Sequence, residues 1–358
     1  MERLIYTGLS KWKNDPDRKP LMLQGARQIG KTYVVNQFGA KEYKKYIRIN
    51  FEEDKNVHQI FNNSLEPNQI IKQLGIYLNT SIEAKDTLLF FDEIQILPSA
   101  ITSLKYFHEK APEFHIIAAG SLLGISVGKT TSFPVGKVNF ITMYPMSFLE
   151  YLMALNENLL IEELFKITDF EALPEIIHEK ALELFKMYLF LGGMPEVVQN
   201  YIDTKNIVAA RKIQNDILQS YQNDFSKYSA PNQAIKIAEL WRSVPYQLAK
   251  ENNKFKYSEV KNKSKAVHYE QTIDWLKNAG LIHIVNELRA VKLPLGGYAD
   301  LAKFKLYVLD TGLIGAMLKL TPEIIIKPMA LFQEYNGAFI ENYTCLELVK
   351  LLEGELYY

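Results

Sequence analysis

The sequence predicts an α/β fold: a parallel sheet with flanking helices, followed by a helical lid and a winged-helix module. Three observations carry this. Up to about residue 150, short apolar runs alternate with amphipathic stretches, the pattern of strands joined by crossover helices. A glycine-rich turn ending in Lys31-Thr32 lies between the first such run and a helix. A later apolar run, Leu88-Leu89-Phe90-Phe91, ends in the acids Asp92-Glu93, as expected of a strand buried on both faces.

In chain order, strands are expected at Leu21–Gln24, Tyr46–Phe51, Thr87–Phe91, His115–Ala119 and Val138–Met143, each bounded by turn or capping residues. Helices are expected at Lys31–Phe38, with Gly39 as its stop, and at Ile101–Glu109, ending before Pro112. Leucines at 152, 155, 159, 160 and 164 then recur at helical spacing and imply a helical block with one buried face. Further helices fit Ile207–Asn223 and Gln233–Leu248, a short one fits Tyr257–Val260, and another fits Ala266–Ala279 before Gly280. Two apolar strands, Leu281–Val285 and Phe304–Val308, flank a loop with Pro294, Gly296 and Gly297. Helix, short helix, long helix and hairpin is the order of a winged helix. The expected division is 1–150 for the sheet domain, 151–205 for the lid, 206–320 for the winged helix and 321–358 for the start of a further domain.

The turn Gly25-Ala26-Arg27-Gln28-Ile29-Gly30-Lys31-Thr32 is a full GxxxxGKT between strand and helix, which is the context a phosphate-binding loop requires. Its glycines let backbone N–H groups converge on phosphate beside the helix N-terminus. Lys31 would reach the β and γ phosphates, and the Thr32 hydroxyl would meet magnesium. Asp92 would hold magnesium through its water shell. Glu93 would orient and deprotonate an attacking water. Ser121, after the strand His115–Ala119, lies at the same sheet end and either senses the γ phosphate or the lytic water, or simply ends the strand.

Composition bounds the alternatives. The 358 residues are 48% hydrophobic and 23% charged, which suits a chain with a real core and excludes extensive disorder. Forty-one basic and forty-one acidic residues cancel, so any basic site is local. Eleven acids against three basic residues give 150–203 a net charge of −8, while eleven Lys/Arg against six acids give 250–305 a net +5. One cysteine, Cys345, excludes an internal disulfide framework. The N-terminal stretch lacks the apolar core of a signal peptide. The longest uncharged stretch, 15 residues from Phe114 to Gly128, is short of the ~20 a spanning helix needs, so the expectation is a cytoplasmic chain without membrane contact.

The presumed recognition helix buries Val267, Ile273, Trp275 and Leu276 and turns Lys265, His268, Tyr269, Gln271 and Thr272 outward. With Lys261 and Lys263 of the preceding turn, this makes Lys261, Lys263, Lys265, His268 and Tyr269 candidates for double-stranded DNA; a protein-interaction module is the alternative. Asp310 reads as the cap of the helix Leu313–Lys319, and Gly192-Gly193 as a break between two helices.

The stretches LQGARQIGKTY, LLFFDEIQ, SLKYFHE, AAGSLLG, SFPVGKV, TMYPMSFLEYL, LGGMPEVV, QSYQNDFSKY, WLKNAGLI and FKLYVLDTGLI, in that order over nearly all of residues 2–350, are together similar to a known group. The chain resembles the prokaryotic AAA-type P-loop ATPases in which a winged helix and a restriction-endonuclease-like domain follow the ATPase core. The resemblance implies that ATP with magnesium is held at Gly25, Ala26, Arg27, Gln28, Ile29, Gly30, Lys31, Thr32, Tyr33 and Asp92, with Glu93 and Ser121 beside the reacting phosphate. The first reading is a magnesium-dependent ATPase with Glu93 as base, whose nucleotide state repositions the winged helix. Many relatives carry Gly-Arg where this chain has Gly136-Lys137, so no arginine finger is assigned, and the expectation is hydrolysis that is slow or dependent on another subunit. The segment Asn336–Asn342 would open the nuclease-like domain, whose later strands are absent, so Glu341 alone cannot cleave. The rival reading is a non-hydrolysing ATP-dependent switch or DNA-binding regulator. A P-loop kinase is a third, disfavoured by Glu93 directly after Asp92.

Overall fold

The computed structural model describes residues 1–120, 134–167, 172–227, 229–250, 254–261, 266–321, 331–352 and 354–358. The chain divides into two compact units, Arg3–Met143 and Tyr144–Tyr358, with Met1–Glu2 counted in the latter.

The first unit runs α1 (Ile5–Asn14), β1 (Leu21–Gln24), α2 (Lys31–Glu42), β2 (Lys45–Asn50), α3 (His58–Asn63), α4 (Pro67–Tyr77), β3 (Thr87–Asp92), α5 (Pro98–Lys110), β4 (His115–Ala119) and β5 (Asn139–Thr142). All five expected strands form, and they pair in parallel in the order β2-β3-β4-β1-β5. Every residue of β3 is buried, because helices cover both sheet faces. On one face Phe51, Phe61 and Phe91 meet edge to face at 5.2 to 5.8 Å, and Ile70, Leu74, Leu104 and Phe107 complete that core. Each such side chain contributes roughly 1.5–3 kcal/mol on burial.

Two helix limits differ from expectation. α5 begins at Pro98, whose fixed φ suits a first helical position. α2 does not stop at Gly39 but continues to Glu42. Gly39 is there for a close approach: a Cβ would lie 2.2 Å from the Tyr46 ring, which stacks on Phe90.

The second unit comprises α6 (Phe148–Ala154), α7 (Asn158–Lys166), α8 (Glu175–Leu191), α9 (Pro195–Thr204), α10 (Ile207–Lys227), α11 (Pro231–Leu248), α12 (Tyr257–Val260), α13 (Glu270–Asn278), the antiparallel pair β6 (Ile282–Leu288) and β7 (Ala299–Val308), α14 (Thr311–Met317) and α15 (Leu331–Leu351). The leucine stripe is split between α6 and α7. Leu152 and Leu160 are buried but Leu159 is 78% exposed, since the break after α6 resets the helical phase. α6 opens with a reciprocal capping box, Ser147 accepting from the Glu150 N–H at 3.1 Å and Glu150 from that of Ser147 at 2.9 Å.

The Asp310 cap forms, its Oδ1 accepting from the Leu313 N–H at 2.9 Å. Its Oδ2 accepts from the Gly193 N–H at 2.5 Å, so the Gly-Gly break and the Asp-Thr-Gly turn are one joint. Burial pushes the Asp310 carboxyl up to about 6. Gln214 donates to the carbonyls of Phe190 and Leu191, and Arg211 to Gln214 and to the Gly312 carbonyl, which closes the last turn of α8 against α14. α15 is packed into this unit: Asn342 exchanges two hydrogen bonds with the Val308 backbone at 2.8 and 2.9 Å, and Glu341 accepts from Lys305 and Tyr307. Tyr358 pairs with β6 at Asn286 and Leu288.

Candidate functional site

β1 is buried and ends at the sheet's carboxyl edge, where parallel α/β sheets place ligands. The loop that follows turns at Gly25 (φ 151°), Gln28 (φ 63°) and Gly30 (φ 90°), so that α2 begins at Lys31. Gly25 admits no side chain, because a Cβ would stand 2.3 Å from the Met143 carbonyl oxygen. Ala26 and Ile29 are buried beneath the loop, and Gln28 and Tyr33 are exposed. The buried Arg3 guanidinium donates to the Ile29 carbonyl at 2.9 Å and ties the loop to the start of α1.

The Lys31 ammonium donates to the carbonyls of Gly25 at 2.9 Å and Ala26 at 2.6 Å. Burial lowers its pKa to about 8, against the opposing charges of Glu93 and Asp92. A desolvated cation inside a turn of backbone donors is a strong anion site.

β3 delivers Asp92 to the same edge, 3% exposed. The Thr32 hydroxyl donates to its Oδ2 at 3.1 Å, so loop and acidic strand meet directly. Arg48 of β2 also binds Oδ2, through Nε at 2.9 Å and Nη2 at 2.8 Å. Glu93 follows in a left-handed conformation (φ 52°) that ends the strand, and its carboxylate accepts a hydrogen bond from Gln95. A hydroxyl and a carboxylate side by side are the hard oxygen donors that magnesium takes, with the phosphates of a substrate completing its shell. Among the described residues no group of three His, Cys, Asp or Glu side chains could hold a metal by itself.

The architecture has known counterparts. Residues 17–152 match the family model described as an AAA domain. The matched span takes in the loop, Asp92 and Glu93. Residues 182–324 match a family described only as a domain of unknown function. No curated protein matches the chain. A Walker-type ATPase of Pyrococcus abyssi shares the fold, with a TM-score of 0.55 at 12% identity over 88% of this chain and 95% of its own. AMPPCP-bound DnaA from Aquifex aeolicus matches at a TM-score of 0.35 and 13% identity over 77% of this chain and 87% of its own. The Aeropyrum pernix ORC1 protein in complex with DNA matches at 0.34 and 11% over 97% and 92%. Among the described residues no helix is long and apolar enough to cross a membrane.

The structure brings Lys31, Thr32 and Asp92 together and sets Glu93 beside them. Ser121 lies outside the described residues, as do Lys263 and Lys265. Of the first unit's other cations, Lys137 pairs with Glu109 at 3.0 Å. Tyr6 and Trp12 are committed to packing: Tyr6 lies on Phe38 and bonds Glu42, while Trp12 is buried against His115 and donates to the Lys19 carbonyl.

In the second unit the expected recognition helix is shorter than Ala266–Ala279. A 3-10 turn, Ala266–His268, precedes α13. Tyr269 does not face outward; it is 3% exposed and donates to Glu239 at 2.8 Å, because the helix start packs on α11. Thr272 is buried and Val267 exposed, the reverse of expectation. His268 is exposed. Lys261 pairs with the same Glu239 at 3.2 Å.

Arg48, Gln95 and Arg3 touch Asp92, Glu93 and the loop but carry no motif. The available signals were an arginine inside the apolar strand KYIRIN and a glutamine two residues after the acidic pair.

Proposed function

We propose that this chain binds ATP with magnesium at the loop Gly25–Thr32 and hydrolyses it. The observation that carries the reading is the convergence of Lys31, Thr32 and Asp92, with Glu93 next in the chain, at one end of an AAA-type sheet. The loop N–H groups and Lys31 would hold the β and γ phosphates, the ammonium exchanging its two carbonyl partners for phosphate oxygens. Thr32 and Asp92 would hold magnesium, which supplies Lewis-acid neutralisation of phosphate charge. Glu93, fixed by its backbone and by Gln95, would accept the proton of the attacking water. Lys31→Ala is expected to lose ATP binding. Glu93→Gln is expected to keep it and to turn over about 100-fold more slowly or worse, as measured by phosphate release. Turnover equal to wild type defeats the general-base role.

One observation favours the switch reading. Lys137, whose position carries arginine in many proteins of the resembled group, is paired with Glu109 at 3.0 Å. Phosphate release by wild type no faster than by Lys31→Ala makes the chain an ATP-dependent switch. The order α11, α12, α13 and β6–β7 supports a winged helix, and with it a DNA contact coupled to nucleotide state.

A further inference from the structure

Asp92 is a buried carboxylate whose Oδ2 takes three donors: the Thr32 hydroxyl at 3.1 Å and Arg48 Nε and Nη2 at 2.9 and 2.8 Å. A charge so placed needs a counter-charge close by, and Arg48 is the cation that touches it. A magnesium ion held through Asp92 would neutralise the same anion. Two cations that compensate one carboxylate oppose each other, and the opposition is reciprocal: whatever the arginine gains from Asp92, the metal loses.

The geometry makes the arginine displaceable. Both of its N–H groups fall on one oxygen rather than one on each, which forgoes the stronger two-oxygen fork. Its side chain is 34% exposed. It also borders a cavity of about 230 Å³ whose lining includes Asn50, Glu53 and Asp54. The Asn50 side chain accepts from the N–H groups of Glu52 and Glu53 and fixes the turn that holds Glu53 there. A guanidinium leaving Asp92 therefore has carboxylates to move toward.

We propose that Arg48 is the internal counter-ion of Asp92 that a divalent metal must displace, so that Arg48 sets the magnesium concentration at which the site loads. This rests on the reading of the loop as a magnesium–nucleotide site. It differs in sign from a bracing role: an arginine that merely aims Asp92 would, when removed, leave a weaker metal site.

The test uses the full chain as wild type, Arg48→Gln and Arg48→Lys. Mn²⁺ binding is titrated by electron paramagnetic resonance without nucleotide, and a fluorescent ATP analogue is titrated against magnesium. The midpoint for either metal is expected to fall about threefold or more in Arg48→Gln and by less in Arg48→Lys, the scale of one partly exposed ion pair. A midpoint unchanged or raised overturns the proposal. If Arg48→Gln does not fold, Arg48→Lys carries the comparison with the same expected sign. A wild type that takes up Mn²⁺ but no ATP analogue defeats the nucleotide reading alone, and the Mn²⁺ midpoints still judge Arg48. Absence of Mn²⁺ uptake by all three proteins overturns the Arg48 proposal as well.

Discussion

His115 sits on the buried strand β4 with its Nδ1 2.6 Å from the Tyr43 hydroxyl and its ring against Trp12. Burial, reinforced by the charges of Arg18, Lys13 and Lys85, lowers its pKa to about 4. The unfolded chain protonates this imidazole near 6.5 while the folded chain resists, so stability present above that pH is lost as pH falls from 6.5 toward 4. The loss from this one residue is on the order of 3 kcal/mol at the acid end. In urea melts over that range the midpoint should fall less steeply for His115→Gln than for wild type; burial also lowers His283 to about 4, which adds to the fall, and raises Asp310 to about 6, which opposes it. A slope identical to wild type would falsify the assignment. At this scale the motif residues were legible because loop chemistry is local: Gly25, Lys31 and Thr32 lie within eight positions, and Asp92-Glu93 end a visibly buried strand. Arg48 was not, because its partner is 44 residues away and its meaning depends on β2 lying beside β3.

At the scale of elements, Gly39 shows how a local rule loses to packing. A glycine late in an apolar helix reads as a stop, yet α2 continues to Glu42 and brings the Glu42 carboxylate to Tyr6 and Lys13. An alanine in a helix interior ordinarily gains about 1 kcal/mol over glycine. Here the new Cβ would enter the Tyr46 ring, which is held by its stacking on Phe90 and its bond to Asn36. Gly39→Ala should therefore destabilise, by roughly 1–3 kcal/mol, and the double variant Gly39→Ala with Tyr46→Leu should recover part of the loss in thermal melts. A stabilised single variant would show that the ring yields freely. The sheet was readable because each strand is a continuous apolar run with a turn behind it. The limits of α13 and the split of the leucine stripe were not, since Tyr269 is drawn into the core by Glu239 and a break after α6 cannot be placed from spacing alone.

For the whole molecule, charge layout decides what the second unit offers to nucleic acid. The net +5 of residues 250–305 looks like a phosphate footprint in sequence, but the fold spends much of it internally. Lys250 pairs with Glu259, Lys254 with Glu287, Lys261 with Glu239, Arg289 with Asp300 and Lys305 with Glu341. Each cation so held must break a pair to contact a phosphate, so few counterions are released on binding. Each phosphate contact adds about 0.9 to the slope of log affinity against log salt. A duplex probe should therefore be bound with a shallow slope, on the order of two to three. Lys263→Glu with Lys265→Glu should remove binding, while Lys31→Ala should leave it when nucleotide is absent. A steep slope would mean that the ion pairs open on contact. No binding at low salt would sink the DNA reading and leave the helix-and-hairpin module as a surface for protein.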